Sequence, residues 1–504
     1  MPAYPLNLQR ITPSAPHTLF DCAATRAIEQ AALAGLPPGT LMQRAGLAVA
    51  RLAAAVAPHA RRIWIACGPG NNGGDGLEAA AHLQTWGFAP WVTWLGTPER
   101  CPADARGAWQ RAVAAGVALA DAPPEDLGAQ DLIIDALLGI GARRAPDGRM
   151  AEWIVRIHAQ AAPVLAVDLP TGLDGDTGQA QERAVRARHT LSLLTLKPGL
   201  FTADGRDCAG QVWWDDLGLS PVAGESAPDA TLATRAHPPP DAALPGPPAA
   251  RNRAHASHKG THGDVAVIGG APGMAGAAWL AGRAALHAGA GRVYLALLGS
   301  TEPPFDPTQP ELMGRRWQDI DLAAATVVCG CGGGDARTLG PVLPRVLGQA
   351  ARLVLDADAL NLIAADAALQ TLLRQRAGRP TLLTPHPLEA ARLLGVTAAQ
   401  VQADRLGAAC QLAGRLACAV LLKGSGSITA APDRVPLINP TGNPRLGTAG
   451  TGDVLAGLAG ARLASGLGAF DAAWTAAWEH GAAADAWPSG QAFTADKLAR
   501  ALRT

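Results

Sequence analysis

The chain has no excess of either charge, with 42 basic residues against 42 acidic ones in 504. A neutral balance removes the electrostatic case for binding nucleic acid or an anionic membrane surface. Cysteine is scarce and scattered: none of the eight forms a CxxC pair, and only Cys329 and Cys331 lie close together. In a chain of this size that pattern reads as reduced thiols and not as a disulfide framework. No run of about 18 uninterrupted apolar residues occurs, so no membrane span is predicted. Polar residues and prolines interrupt residues 1–20, so no signal peptide is expected and a cytoplasmic location is. A GxxxxGK[ST] string is also missing, which excludes a P-loop nucleotide site.

What is present describes a folded, globular protein: 48% hydrophobic and 17% charged residues. The length exceeds one ordinary core, so two domains are expected. Residues 221–250 carry eight prolines and few large apolar side chains, which marks the boundary. We take 1–222 and 229–504 as the domains. Upstream, strands are predicted at 62–67, 91–95, 131–135, 163–168 and 189–194. Downstream they are predicted at 264–269, 292–297, 326–329, 352–355, 381–384 and 419–423. Alanine-rich helical patterns alternate with them, which implies two α/β domains, each a parallel sheet with helices on both faces. Ligands in such sheets sit beyond the carboxyl ends of the strands. Polar residues that end an apolar run are therefore the ones to follow.

The first such end is a loop of glycines, asparagines and one aspartate, Gly68-Pro69-Gly70-Asn71-Asn72-Gly73-Gly74-Asp75-Gly76, with a helical pattern from Leu77. It contains GxGxxG, a weak sign of a dinucleotide site by itself. A pyrophosphate on this helix start would meet the Asp75 carboxylate, which repels it. Asn71, Asn72 and Asp75 suit a sugar, a ring or a cation better. Two more strand ends carry Asp135 and Asp168, the latter followed by Thr171. An aspartate closing a strand also serves as an ordinary cap for the next helix or turn. Three polar ends on one sheet edge point to a site instead: Asn72, Asp135 and Thr171 as hard oxygen ligands, Asp168 as an acid/base group.

Together GPGNNGGDG, DALLGIG and DLPTGLDGDTG resemble the N-terminal domain of the NAD(P)H-hydrate epimerases over about the first 220 residues. Leu41-Met42-Gln43-Arg44-Ala45-Gly46 matches that family's upstream helix. The resemblance implies a Rossmann-like domain. It also implies that Asn71, Asn72, Gly73, Gly74 and Asp75 bind the hydrated nicotinamide nucleotide, with Gly139, Ile140, Gly141, Ala142, Arg143, Arg144, Ala145 and Asp168. Asn72, Asp135 and Thr171 would hold a potassium ion (K+), threonine replacing the family's serine. The implied reaction inverts carbon 6 of the hydrated ring, and Asp168 moves the proton.

Downstream the strongest signal is Asn439-Pro440-Thr441-Gly442-Asn443-Pro444 followed by the GTAGTGDVLAG string from Gly447. Gly450 and Gly452 leave backbone N–H groups free to face an anion at the helix start. Asp453 at that start suits a base that takes a proton from a hydroxyl attacking a phosphoryl group; a plain helix cap would not explain the glycines. This pattern resembles the ribokinase-like fold and, more closely, the ADP- or ATP-dependent NAD(P)H-hydrate dehydratases. Further motifs through residues 255–504 support it: His258-Lys259-Gly260, Gly269-Gly270-Ala271-Pro272-Gly273, Leu355-Asp356-Ala357-Asp358, Thr384-Pro385-His386-Pro387 and Leu422-Lys423-Gly424-Ser425-Gly426-Ser427. By that match Lys423, Gly424, Ser425, Gly426, Ser427 and Gly452 contact the adenine nucleotide, while Ala277, Gly332, His386 and Asp453 contact the hydrate. The co-substrate expected is ADP, with Mg2+ on its phosphates. Where the family has GPGLG this chain has Gly330-Cys331-Gly332-Gly333-Gly334, which predicts a looser hydrate pocket.

Dehydration of one epimer and interconversion of the two form a coherent repair of hydrated NADH and NADPH. The expected partners are these small molecules, and a homo-oligomer is expected. The rival reading makes the C-terminal half a vitamin-precursor kinase of the same fold and the N-terminal half a non-catalytic binding module. His255, His258 and His262 lack a cysteine partner and are read as loop residues, not a zinc site. Cys329 and Cys331 are read as buried thiols beside a ligand loop, and His480 as helix packing.

Overall fold

The structure, a computed structural model, describes residues 8–141, 144–219, 238–250, 254–300 and 305–502. It divides into two compact units, one comprising Met1–Thr12 and His17–Ala242, the other Pro13–Pro16 and Ala243–Thr504. The expected domain bounds at 222 and 229 fall outside the described residues.

In the first unit eight strands pair in the order Gln9–Arg10, Gln211–Asp215, His189–Leu193, Val164–Val167, Leu132–Ala136, Ile63–Cys67, Pro90–Trp94, Ala118–Ala120. All neighbours are parallel except the first pair. The apolar run at 63–67 is buried at every position because helices cover both faces. Ile63, Ile65 and Cys67 pack with helices Thr40–Val56, Asn71–Thr85 and Ala103–Ala114. Trp64 and Ala66 face the other way, toward Trp153, Ile154 and Ile157 of helix Gly148–His158. From strand 63–67 the chain builds outward through 90–94 and 118–120, then returns to pair 132–136 on the other side of it. This reversal opens a crevice between the carboxyl ends of 63–67 and 132–136.

One local expectation changes. Gly73, Gly74 and Gly76 are not loop residues but lie in the first turns of helix Asn71–Thr85, which begins six residues before Leu77. Their lack of a side chain is used for close packing. A β-carbon on Gly74 would press on Met42 and Ala105, and one on Gly76 on Ala136 and Cys67.

In the second unit the strands pair in the order Leu312–Gly314, Arg292–Leu297, Asp264–Gly269, Thr326–Cys329, Arg352–Leu355, Thr381–Leu383, Ala419–Leu422, Ile428–Ala430, Leu437–Ile438. The ladder is parallel up to Ala419–Leu422 and antiparallel over the next two pairs, and Leu437 then pairs in parallel with Ala243. The same reversal occurs here, between 264–269 and 326–329. Helix Thr451–Ala464 is buried on all sides, against Ala275–His287, Ala469–Asp485 and the sheet. An all-round apolar helix is what such a position requires. Gly457 lets it approach Ala281 so closely that a β-carbon there would collide with the Ala281 carbonyl oxygen. Both atoms belong to helix backbones, so neither can yield cheaply. Gly457→Ala is expected to cost about 1–3 kcal/mol, read as a lower melting temperature of the second unit. A change below about 0.5 kcal/mol would show that the two helices can part without cost.

Two candidate active sites

In the first unit, apolar strand 164–167 ends at Asp168, a non-glycine residue held at φ 67°. That conformation costs on the order of 1–3 kcal/mol and persists only where the surroundings enforce it. The enforcing contacts are visible. The Asp168 amide donates to Leu191 O at 2.8 Å, Lys197 Nζ lies 2.6 Å from Oδ1, and the Ile140 amide donates to Oδ2 at 3.1 Å. Lys197 is fully buried, and its ammonium also donates to Leu193 O at 2.8 Å and Thr195 O at 3.1 Å. The sequence reading did not single out Lys197. It follows strand 189–193 after a short turn, so the rule about polar residues ending an apolar run applies to it too.

A β-carbon on Gly139 would lie 2.9 Å from Asp168 Oδ2 and 3.0 Å from Asn72 Oδ1. Asn72 and Asp168 therefore flank one point at the crevice, with Gly139 between them. Its cavity, about 490 Å³, is lined by Arg26, Glu29, Asn72, Asp75, Asp168 and Lys197 among others. Asn71, Gly139, Ile140 and Gly141 also line it, while Gly73 and Gly74 do not. Arg26 Nη2 donates to the Ile140 carbonyl and ties this loop to helix Cys22–Leu33. Arg144 and Ala145 are exposed, and Ala142 and Arg143 lie outside the described residues. Burial, with the charges of Asp168 and Glu29 adding, pushes the Asp75 carboxyl well above the usual carboxylate range.

Asp135 and Thr171 are brought together. Asp135 is fully buried, accepts from the Thr171 hydroxyl at 2.7 Å and the Thr171 amide at 2.8 Å, and is pushed up to about 6 by burial. The Thr171 hydroxyl in turn accepts from the Leu138 amide at 3.0 Å. Buried Asn72 Nδ2 has no hydrogen-bond partner among the described residues. A buried carboxylate, a hydroxyl and an amide supply the hard oxygens a monovalent cation takes, and a cation would offset the buried charge of Asp135.

In the second unit, Gly450 caps helix 451–464 with φ 88°, and Asp453 lies in its first turn. Burial, then the nearby Asp356 charge, pushes Asp453 up to about 6. Cys331 Sγ hydrogen-bonds this carboxyl, and ligating atoms of Cys331, Asp356 and Asp453 lie within 4.8 Å of one another. Lys423 Nζ pairs with Asp356 Oδ1 at 2.7 Å, and Thr384 Oγ1 donates to the same oxygen at 2.8 Å. A β-carbon on Gly452 would sit 3.5 Å from Lys423 Nζ, so an ammonium stands beside the helix start. Lys423 thus faces that start, while Gly424 and Ser427 close a turn through Ser427 Oγ to Gly424 O at 3.1 Å. Ser425 is exposed on the same turn, while Gly426 is buried.

The segment 330–334 departs from the expected looseness. Gly330 (φ 117°), Gly332 (φ 57°) and Gly334 (φ 81°) all take left-handed conformations that glycine alone adopts freely. The backbone is pinned by Gly270 N to Cys331 O at 3.0 Å and Ala271 N to Gly332 O at 2.7 Å. The Cys331 side chain fills the interior and is fully buried. Gly332 abuts Ala277: a β-carbon on it would lie 3.0 Å from the Ala277 side chain. His386 serves a local purpose as well: its Nδ1 caps helix Pro387–Leu394, accepting from Leu388 N at 3.1 Å, while Nε2 faces Glu389 Oε1 at 3.2 Å. The loop histidines form no metal cluster among the described residues. His258 Nδ1 caps the turn at Gly260 instead. His480 is buried in helix 469–485, which lowers it to about 4.

Comparison with known proteins follows the same division. Residues 265–504 match the family described as NAD(P)H-hydrate dehydratase, and residues 38–199 the YjeF-related protein N-terminus. The bifunctional NAD(P)H-hydrate repair enzyme Nnr of Escherichia coli K12 is 37% identical over 94% of this chain and 90% of its own. That of Coxiella burnetii is 34% identical over 93% and 94% respectively. Among solved structures, the ADP/ATP-dependent NAD(P)H-hydrate dehydratase of Bacillus subtilis, co-crystallized with ATP/Mg2+, is 30% identical. The match covers 50% of this chain and 92% of that one, with a TM-score of 0.42. Two α/β units, each with a carboxylate paired to a lysine at its crevice, and similarity running through nearly the whole chain, lead to one assignment: the chain belongs to the bifunctional NAD(P)H-hydrate repair enzymes.

Proposed function

We propose that the first unit interconverts the R and S hydrates of NADH and NADPH at Asp168, and that the second dehydrates the S form at the expense of ADP. The observation that carries this reading is the pairing of acidic and basic groups at both crevices: Asp168 on Lys197, and Asp356 on Lys423 beside Asp453. A hydroxyl at carbon 6 leaves poorly as hydroxide. Asp453 takes its proton as the oxygen attacks the β-phosphoryl group of ADP, releasing AMP. The carbon 5 proton and the new phosphate then leave, which restores the C5=C6 bond and yields NAD(P)H. Lys423 and the amides at Gly452 hold the transferred phosphoryl charge.

Asp356 offers the hard oxygen that Mg2+ takes and leaves Asp453 free as the base, whereas the Cys331 thiol does not suit the ion; Mg2+ would neutralise charge on the nucleotide phosphates. Asn72, Asp135 and Thr171 would hold K+, whose charge supports the buried carboxylate of Asp135. The rival kinase reading predicts a stable phosphorylated product. The test is to incubate the purified chain with mixed hydrates and each nucleotide. AMP, phosphate and recovered absorbance of reduced nicotinamide are expected in equal amounts, with ADP the better co-substrate. A phosphorylated product without that recovery would refute the dehydratase half.

A further inference from the structure

We infer that inversion at carbon 6 is a two-carboxyl reaction in which Asp75 and Asp168 handle water on opposite faces of the ring. The inference rests on the epimerase reading of the first unit. Both residues line the same cavity, and they come from different sides of the crevice. Asp75 stands in the first turns of the helix that follows strand 63–67, and Asp168 ends strand 164–167. Strand 132–136 runs between those two strands. Gly139, in the loop after that middle strand, lies between Asp168 and Asn72, and Asp75 stands one helical turn beyond Asn72 on the same side. Two carboxyls reaching one cavity from different elements are the equipment that inverting glycosidases use when water must arrive on the face opposite the leaving group.

The environments of the two groups differ in the sense such a division requires. Asp168 is gripped by the Lys197 ammonium and the Ile140 amide. Asp75 has neither an ion pair nor a hydrogen bond to its carboxyl among the described residues, and burial favours its neutral form. A carboxyl that holds its proton more tightly than usual and a lysine-paired carboxylate, both lining one cavity, fit the acid and base roles respectively.

The step balances. Asp75 gives its proton to the carbon 6 hydroxyl as the C–O bond breaks and water departs. The ring nitrogen's lone pair forms a C6=N1 double bond in the iminium ion left behind. Water then adds to carbon 6 from the other face, its proton passes to Asp168, and the electron pair returns to N1. One water leaves and one enters, and a proton returned from Asp168 to Asp75 through solvent resets the site. In the reverse direction the roles exchange.

The reaction therefore replaces the carbon 6 oxygen. In water enriched in oxygen-18, the wild-type chain without nucleotide is expected to place one heavy oxygen in the hydrate for each inversion, above the exchange seen without protein. Retention of the original oxygen during inversion would overturn the inference whatever the variants do. Asp75→Asn, which keeps the size and neutrality of the protonated acid, is expected to lower kcat for inversion about 10²–10⁴-fold with little change in KM. A raised KM at unchanged kcat would make Asp75 only a binding residue and refute the pair. A wild-type chain that does not invert the hydrates at all would instead remove the epimerase reading.

Discussion

Asp453→Asn is expected to stop ADP consumption, with kcat for AMP formation falling about 10²–10⁴-fold, while interconversion of the hydrates continues at the wild-type rate. The base lies in the second unit, and Asp453 is not among the residues lining the cavity of Asp168 in the first. Measuring AMP release and epimer exchange on the same sample separates the two. Equal loss of both activities, with the fold intact, would mean that the division into two sites is wrong. Asparagine retains the shape and can still meet the Cys331 thiol, so the loss reports the missing base and not a collapsed loop.

The same carboxyl sets a pH dependence whose sign follows from its role. A base must be ionised, and burial places Asp453 at about 6, so kcat for dehydration should fall roughly tenfold per unit of pH below that value. The variant should lack this limb. Stability moves the other way. A carboxyl raised in the folded protein favours the protonated form, so stability is lost as pH rises from its unfolded value through about 6. Removing the charge should therefore stabilise the second unit at neutral pH, by up to about 3 kcal/mol, and by nothing at strongly acid pH. A base kept at such a cost is a trade of stability for activity.

Much of this was legible in the sequence because parallel sheets bury their strands on both faces. Apolar runs such as 63–67, 132–136 and 164–167 could be read directly, and the polar residues that ended them, Asp135 and Asp168, were found where the crevice lies. The short edge strands Gln9–Arg10, Ala118–Ala120 and Leu312–Gly314 left no comparable run, because an edge needs little burial. Gly73 and Gly74 looked like loop residues because their helical role depends on close neighbours, Gly68 and Met42, that sequence spacing does not show. Segment 330–334 looked loose for the same reason: its hydrogen bonds run to Gly270 and Ala271, far off in the chain. Lys197 was passed over because a lysine after a strand usually faces solvent, and only the fold reveals that Leu193, Thr195 and Asp168 enclose it.

Lys197→Met should have the largest effect in the first unit. Methionine fills the space of the lysine stem but leaves the Asp168 carboxylate with only the Ile140 amide, and strips the Leu193 and Thr195 carbonyls of a buried donor. Breaking one side of a buried ion pair costs about 3–5 kcal/mol, because the remaining charge stays buried and uncompensated. The first unit should therefore unfold at a markedly lower temperature, seen as a separate shift in calorimetry, while the transition of the second unit and the dehydratase rate stay in place. Epimerisation should fall at least about 10²-fold in kcat, since Asp168 is then free to leave its strained φ of 67°. The double variant Lys197→Met/Asp168→Asn discriminates stability from chemistry. With the orphan charge removed, much of the lost stability should return, whereas the activity should not. If the single variant kept full epimerase kcat, Lys197 would hold the fold alone, and the strained carboxylate would owe its position to the Ile140 and Leu191 backbone instead.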